Sequence, residues 1–509
     1  MGVFEHSLNF KKARVFLDLV MIMTTVSPQT RILSLTGHSY ESLLHLMIAL
    51  VSSFMVVFLP SPSLLFSFVL IGLLALCVVW EKSAQGFLYL FCLSVLVVPP
   101  FYPSALGGGL PVYLSNFLFL SLVLALVVRQ EIQRLKWDSI GEAGLLFLMA
   151  TAVSLPFAYW LSGPWLGLQS SLRFLLIVQP FFIYFWIRNT SLIREEAHFS
   201  AFVQFLLAVG ALTATYGIVD FYVPLSIPHP FAEQFISLHG EKIRRAQGMF
   251  YEASSFGNIC AFFLSLSLIN RHSLSKGASM ISRAWPYLLI GIFSTALFLS
   301  YSRGSWMNVL VTVGVFLMFQ QKRRLRFATR VILLIGSFVF LIYLVSPEIV
   351  LNFFQWRLGT LLELWSDPNF ATSGRWETWM KLLGFFADHP WFLLFGIGYK
   401  TLPHTNLFGT TLIPDNGFLS LAFETGILGL VAFLILSLTV LRSLHKTSQQ
   451  QNSTIRTYSA FLFAFWCGQM VQMLTGDIFT YWRNLVIYFL FMGAVQKVGR
   501  LSPSSLDKQ

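Results

Sequence analysis

The chain has 509 residues, 56% of them hydrophobic and 11% charged, with a formal net charge of +12 and a mean hydropathy of +0.70. Soluble globular chains carry about 25% charged residues, so an aqueous fold is excluded and a bilayer is the solvent that hides this much apolar surface. Nucleic acid is excluded as a partner, because no basic segment interleaved with aromatics lies outside the apolar runs. Length alone suggests about three soluble domains. The even hydropathy instead points to one helical bundle without a clear internal boundary. Residues 1–36 hold basic residues but no apolar core followed by small ones, so no cleavable signal is expected and the first spanning helix drives insertion. Cys77, Cys92, Cys260 and Cys467 all fall in apolar runs without CxxC or Cys/His pairing. They read as small buried hydrophobes, not as a zinc site or a disulfide framework.

A spanning helix needs about 20 mostly apolar residues, with about 17 the usual lower end. Fourteen runs qualify in chain order: 43–59, 63–80, 85–101, 112–128, 144–161, 172–187, 199–223, 253–269, 285–300, 305–319, 331–345, 417–441, 458–475 and 481–495. Three are short and one ends in Pro99-Pro100, which gives 12–14 helices. With the N-terminus cytoplasmic, 24 of the 34 lysines and arginines fall on inner segments and ten on outer ones. Every inner segment is then basic and the first two outer loops carry no charge, as the positive-inside rule requires. Topology therefore accounts for most of the net charge, and anionic inner-leaflet lipids attract the same residues.

The ten outer cations break the bias, and most fall in three places. The first is the loop 224–250, ending Glu241-Lys242-Ile243-Arg244-Arg245-Ala246-Gln247-Gly248. The second is the hairpin Tyr301-Ser302-Arg303-Gly304-Ser305 between two apolar helices. The turn is so short that the Arg303 guanidinium must lie near the membrane boundary, where a charge needs a polar cavity or a partner. It is either a snorkelling side chain or part of an anion site, since Gly304 and Ser305 open a helix whose free N–H groups favour phosphate or diphosphate.

The third place is the segment 347–416, about 70 residues long. Over 373–389, Trp376, Trp379, Leu383 and Phe386 recur at spacings of three, four and three, with Arg375, Glu377, Lys381 and Asp388 off that stripe. This predicts an interfacial amphipathic helix on the outer leaflet with Arg375 over the mouth of the bundle. Phe395-Gly396-Ile397-Gly398-Tyr399 follows, a tight turn lacking the strand and third glycine of a dinucleotide fingerprint. Asp415 and Asn416 stand at the entry to span 417–441, where Asp415 has the chemistry of an N-cap. Glu424 lies over two turns into that apolar helix and needs a charged partner, for which an outer arginine is expected.

These residues resemble the O-antigen ligase and Wzy-type polymerase superfamily. The resemblance rests on ordered features over 244–429: Arg-Ala-Gln-Gly and then Glu252 entering a helix; Tyr-Ser-Arg-Gly-Ser at an outer hairpin; Ser-Gly-Arg-Trp-Glu-Thr-Trp in a large outer loop; His-Pro-Trp and Gly-Ile-Gly-Tyr; and Asp-Asn-Gly-Phe-Leu leading to Glu-Thr-Gly-Ile-Leu-Gly-Leu. It implies a glycan on undecaprenyl diphosphate, processed outside the bacterial cytoplasmic (inner) membrane without metal or cofactor. A chain-length regulator and a flippase are the partners it suggests. Arg303 matches the family's Ser-Arg-Gly arginine, Arg375 the arginine before the Trp of the large loop, and Arg244 or Arg245 the arginine near the preceding helix. Glu252, Asn416, Glu424 and His404 are the further substrate-binding positions. The family's ligases carry histidine where this chain has Asp415, which favours the polymerase branch; His404 is nearby but at the wrong offset.

The chemistry suits these residue types. Guanidiniums aimed at a departing diphosphate stabilise its charge. The incoming hydroxyl needs a base, a role open to Asp415 if desolvation raises its pKa; orienting the acceptor is its rival role. A metal-dependent lipid-linked glycosyltransferase wants acidic ligands in its first outer loop, which here is Pro60-Ser61-Pro62. A flippase or transporter wants midplane charges and internal repeats, and neither pattern is present. The expected architecture is an all-α integral membrane protein with a large outer, periplasmic loop bearing amphipathic helices. Its parts are a cytoplasmic segment 1–42, a transmembrane bundle 43–346, the large loop 347–416, C-terminal transmembrane helices 417–496 and a cytoplasmic tail 497–509.

Overall fold

The computed structural model describes residues 84–99, 113–128, 135–190, 192–193, 195–223, 234–238, 241–274, 280–319, 375–409 and 412–500, with positions 336, 347, 366, 367 and 369. The expected spans 43–59, 63–80 and, except for position 336, 331–345, with nearly all of the two terminal segments, lie outside the described residues. The described apolar runs form helices, because in hydrocarbon each backbone N–H and C=O must be satisfied within its own segment. In order these are α1 (Ala84–Leu96), α2 (Leu114–Val128), α3 (Ser139–Val153), α4 (Leu155–Ser162), α5 (Pro164–Asn189) and α6 (Glu196–Tyr222). Then come β1 (Phe235–Leu238), β2 (Glu241–Arg244), α7 (Ala253–Leu274), α8 (Met280–Leu299) and α9 (Arg303–Phe319). The rest are α10 (Arg375–Asp388), α11 (Pro390–Phe395), α12 (Gly417–Ser448), α13 (Ser453–Gln472) and α14 (Trp482–Arg500).

The protein is thus an all-α membrane protein. Among the described residues, four stretches are long and apolar enough to cross a bilayer: Ser139–Ser162, Pro164–Asn189, Glu196–Tyr222 and Gly417–Ser448. Among the described residues, the exception to the class is the antiparallel pair β1–β2, in register from Phe235↔Arg244 to Leu238↔Glu241.

Two expected spans are broken rather than continuous. Span 144–161 is split where Ser154 ends α3 and opens α4, with Pro156 in the first turn of α4. Span 417–441 is split at Gly426, whose φ of 70° is left-handed. A Cβ there would come within 2.1 Å of the Leu394 carbonyl oxygen. The Phe423 and Glu424 carbonyls accept hydrogen bonds from the N–H groups of Ile397 (2.9 Å) and Gly398 (3.0 Å). The Gly-Ile-Gly turn therefore satisfies the backbone at the break in α12; a Cβ on Gly396 would lie 2.4 Å from the Glu424 carbonyl oxygen, and one on Gly398 would meet Ala158 of α4.

α14 forms the centre. Residues 482–496 are all buried, as in an interior helix, and include the polar Arg483, Asn484 and Gln496. It packs on α5, where a Cβ on Gly493 would meet the Tyr184 carbonyl oxygen at 2.8 Å. α9 packs on α13 through another small residue, Gly468, against Asn308 and Thr312. Two buried arginines fasten ends of the bundle. Arg188 pairs with Asp138 at 2.9 Å and joins α5 to the start of α3. Arg483 donates to the carbonyls of Val95, Met249 and Val98. It is one of the ten cations assigned to the outer side, and its role here is structural.

Candidate active site

The hairpin between α8 and α9 is built on buried polar contacts. Ser302 and Ser305 share a hydrogen bond of 2.7 Å between their hydroxyls, and Gln472 Nε2 donates to Ser305 Oγ at 3.2 Å. The same Gln472 accepts through Oε1 from Asn258 (2.7 Å) and Asn308 (3.0 Å). Asn484 and Tyr488 of α14 donate to Asn258 Oδ1 in turn. Gly257 lets the hairpin close, since a Cβ there would lie 2.6 Å from Ser300 Oγ. The result is that Arg303 is the first residue of α9, at the free N–H end of a helix fixed from α7, α13 and α14.

Arg245 reaches the same hairpin. Its Nε donates to the Ser300 carbonyl at 2.9 Å and its Nη2 to Ser254 Oγ at 3.2 Å. Arg244, the alternative in sequence, is committed to Asp220 on the last turn of α6, at 3.0 Å. The adjacent arginines thus divide between a structural pair and the site.

Arg375 opens α10 and donates from Nε (3.1 Å) and Nη2 (3.0 Å) to Asp415 Oδ2. Trp379 Nε1 donates to the Pro414 carbonyl at 2.6 Å. Leu382 and Phe386 are buried, and Phe386 stacks on Phe423 of α12 at 3.8 Å. The protein-facing stripe of α10 is therefore Arg375, Trp379, Leu382 and Phe386. Of the expected stripe, Trp379 and Phe386 thus face the bundle, whereas Trp376 and Leu383 are exposed with Met380. α10 has two apolar faces, one on the bundle and one left for lipid.

Asp415 does not cap α12. Its neighbour Asn416 does, accepting from the N–H groups of Phe418 and Leu419 at 3.1 Å each. Asp415 instead has a φ of 44°. Among the described non-glycine residues only Tyr301 (φ 50°), Lys400 (φ 55°) and Asp415 have positive φ. All three border this site, and backbone strain of that kind persists where surrounding contacts over-determine it.

Electrostatics join these pieces. Arg303 interacts with Arg375, Arg245 and Asp415, and Arg245 with Glu252, Asp415 and Arg375. Three guanidiniums from separate segments converge, with Asp415 and Glu252 as the carboxylates among them. A second group adjoins it: Lys400 pairs with Asp477 and donates to Thr480 Oγ1 at 2.9 Å. Burial lowers the Lys400 pKa, and the Asp477 and Glu424 carboxylates raise it by more. Glu424 is buried on α12 with Lys400, Asp477 and Arg173 as its charged neighbours. Arg173 of α5 donates to the Lys400 carbonyl at 2.8 Å. His404 lies at the edge, beside Arg173; desolvation and that arginine hold it down at about 4. Lys400, Asp477 and Arg173 were not singled out from sequence. The usable signal was that Asp477 is the sole acid between the last two spans and Lys400 directly follows the glycine turn.

Residues 288–434 match the family model Wzy_C, described as O-Antigen ligase. The match runs from α8 into α12 and includes Arg303, Arg375, His404, Asp415, Asn416 and Glu424, while Arg244, Arg245 and Glu252 precede it. No curated protein matches the chain.

Proposed function

With an O-antigen ligase-type domain of the Wzy superfamily as the premise, we propose that this membrane protein polymerises oligosaccharide repeat units carried on undecaprenyl diphosphate, for an O-antigen or exopolysaccharide. The convergence of Arg245, Arg303 and Arg375 carries the reading. A diphosphate is the anion that three planar donors suit best, because each guanidinium offers paired N–H groups to phosphate oxygens. The acceptor hydroxyl attacks the anomeric carbon of the donor, the bond from that carbon to the diphosphate breaks, and the charge left behind falls among the arginines. Pre-set donors of this kind are each worth about 10²–10³ in rate. No metal is required for that stabilisation.

The reading places the arginine end of the bundle outside the bacterial cytoplasmic membrane, with 347–416 as the large outer loop and both termini inside. The lysine and arginine distribution supports it. A chain-length regulator and a flippase are the proposed partners in the cell.

The test is to delete the protein and resolve the cell's surface polysaccharide on a gel. Single-repeat product is expected. Long chains stranded on the lipid carrier overturn polymerisation in favour of transfer to another acceptor, and an unchanged profile overturns both.

A further inference from the structure

Two of the three guanidiniums take their places from the start of α7. Ser254, in its first turn, accepts from Arg245 Nη2 at 3.2 Å. Gly257, three residues on, lies against the hairpin that carries Arg303. A Cβ there would come within 2.8 Å of the Ser302 Cβ and 3.1 Å of Ser305 Oγ. The first turn of α9 also rests on α13, where a Cβ on Gly304 would meet Thr475 Oγ1 at 2.7 Å and Gln472 Cγ at 3.1 Å. Arg303 thus projects from a turn seated between α7 and α13.

A chain of amides crosses this seat, and it runs in one direction. Asn484 Nδ2 donates to the Ser255 carbonyl at 2.8 Å. A carbonyl can only accept, so the Asn484 amide has one orientation. Its Nδ2 also donates to Asn258 Oδ1 at 3.0 Å, as the Tyr488 hydroxyl does at 2.6 Å. Asn258 Nδ2 then faces Gln469 Oε1 (3.2 Å) and Gln472 Oε1 (2.7 Å) and donates to both. Gln472 Nε2 in turn donates to Ser305 Oγ at 3.2 Å. Asn258, Gln469, Asn484 and Ser305 have no exposed surface. Hydrogen bonds between packed membrane helices add little net stability, and apolar side chains fill such places as well. What a donor set against an acceptor does fix is register, because the bond weakens steeply as distance and angle depart from their optimum.

We propose that Asn258 is a positioning residue for Arg303: through Gln472 and Ser305 it holds the first turn of α9 in register with α7, and so sets the Arg303 guanidinium against that of Arg245. The proposal rests on the polymerase reading above, in which both arginines stabilise the departing diphosphate. Misplacing a catalytic group by about 1 Å costs up to about 100-fold in rate, so a slide of α9 too small to unfold the bundle is large enough to slow the transfer.

The experiment uses the full chain in nanodiscs with lipid-linked repeat units. Asn258→Leu nearly keeps the side-chain volume and leaves its neighbours other partners. Gln472 Oε1 still accepts from Asn308, Asn484 still donates to the Ser255 carbonyl, and the Tyr488 hydroxyl still reaches the carbonyl of residue 258. The variant should insert, melt near wild type, and lose about tenfold in kcat at unchanged KM. In an Arg303→Lys background the same substitution should cost less than about twofold, because a residue that acts through Arg303 then has nothing left to place. Thr312→Val removes a bond at the edge of the same network, from Thr312 Oγ1 to Asn308 Oδ1 at 3.0 Å, and should keep wild-type kcat. Wild-type kcat in Asn258→Leu, an equal loss in both backgrounds, or an equal loss in Thr312→Val overturns the proposal, while elongation by wild type leaves the polymerase reading standing. Failure of wild type to elongate at all overturns both. If Asn258→Leu does not insert, Ser305→Ala, which deletes the last acceptor of the chain, decides: a kcat loss that vanishes in the Arg303→Lys background supports the role, and wild-type kcat or an equal loss in both backgrounds overturns it.

Discussion

Arg375 grips one oxygen of Asp415 with two nitrogens, Nε at 3.1 Å and Nη2 at 3.0 Å, and so ties the first turn of α10 to the residue before the cap of α12. Held in this way, Asp415 is expected to act by positioning the arginine. Asp415→Asn keeps an oxygen that accepts from Arg375 and loses the charge. We expect normal expression and roughly a tenfold lower polymerisation rate, since the helix cap belongs to Asn416 and a charge-assisted hydrogen bond becomes a neutral one. Arg375→Lys should lose about 100-fold. The double variant should fall well short of the product, because the two residues act as one unit. A loss beyond 1,000-fold in Asp415→Asn alone makes Asp415 the base.

Arg303→Lys separates charge from shape. Lysine retains the positive charge at the start of α9 but not the planar fork. The expected outcome is a protein that inserts normally, with polymerisation down about 100-fold. Near-normal polymer from Arg303→Lys reduces Arg303 to a membrane-boundary anchor. Gln472 offers a companion measurement, because it holds Ser305, Asn258 and Asn308 together beneath the arginine. Gln472→Leu should lower kcat and thermal stability together, whereas Arg303→Lys should lower kcat alone.

The parts of this architecture written locally were legible in the sequence. Helix starts such as Arg303 follow from a short polar turn between apolar runs. The all-α class follows from hydropathy. What escaped depends on chain that is distant in sequence. Periodicity set Arg375 over the mouth of the bundle but could not name its partner, because Asp415 lies 40 residues further along the chain. The break at Gly426 was hidden because Glu-Thr-Gly lies in an apolar run, and the N–H groups that permit the break belong to Ile397 and Gly398. The choice between Arg244 and Arg245 needed Asp220, on another helix. The Asp415 cap was misplaced by one residue, since either side chain has capping chemistry and only the backbone decides which is used.

Gly426→Ala tests the broken helix. Its φ of 70° is strained for any side chain, and the added Cβ would lie 2.1 Å from the Leu394 carbonyl oxygen, which belongs to backbone and cannot swing aside. The expected result is severe loss of folded protein, read as aggregation on fluorescence-detected size exclusion. Gly384→Ala, on α10 with open space around its Cα, is the control and should express normally.

Asn416→Ala removes the side-chain oxygen that accepts from Phe418 and Leu419. A cap of this kind is worth about 1 kcal/mol, so the variant should melt a few degrees lower, and Asn416→Asp or Asn416→Ser should recover most of the difference. An unchanged melting temperature in Asn416→Ala shows that the contacts of Gly417 N–H with the carbonyls of Met473 and Gly476 fix this entry without the cap.

Sidedness is tested through α12. The element is broken at Gly426, and the part that follows the break, 427–448, is at about 1.5 Å per residue as long as a hydrocarbon core of about 30 Å. On the proposed topology the two ends of α12 emerge on opposite faces of the membrane. Lys381 is exposed on α10, whose first residue is paired to Asp415 at one end of α12, and Gln451 is exposed just beyond the other end. With the four native cysteines replaced, a cysteine at Lys381 should react with an impermeant maleimide in intact cells. One at Gln451 should react only after permeabilisation, because the basic residues Arg442, Lys446 and Arg456 flank it. The reverse pattern places the arginine site in the cytoplasm and overturns the polymerase reading, since a repeat unit presented outside would not reach it. Equal labelling of both positions in intact cells overturns α12 as a membrane-spanning element.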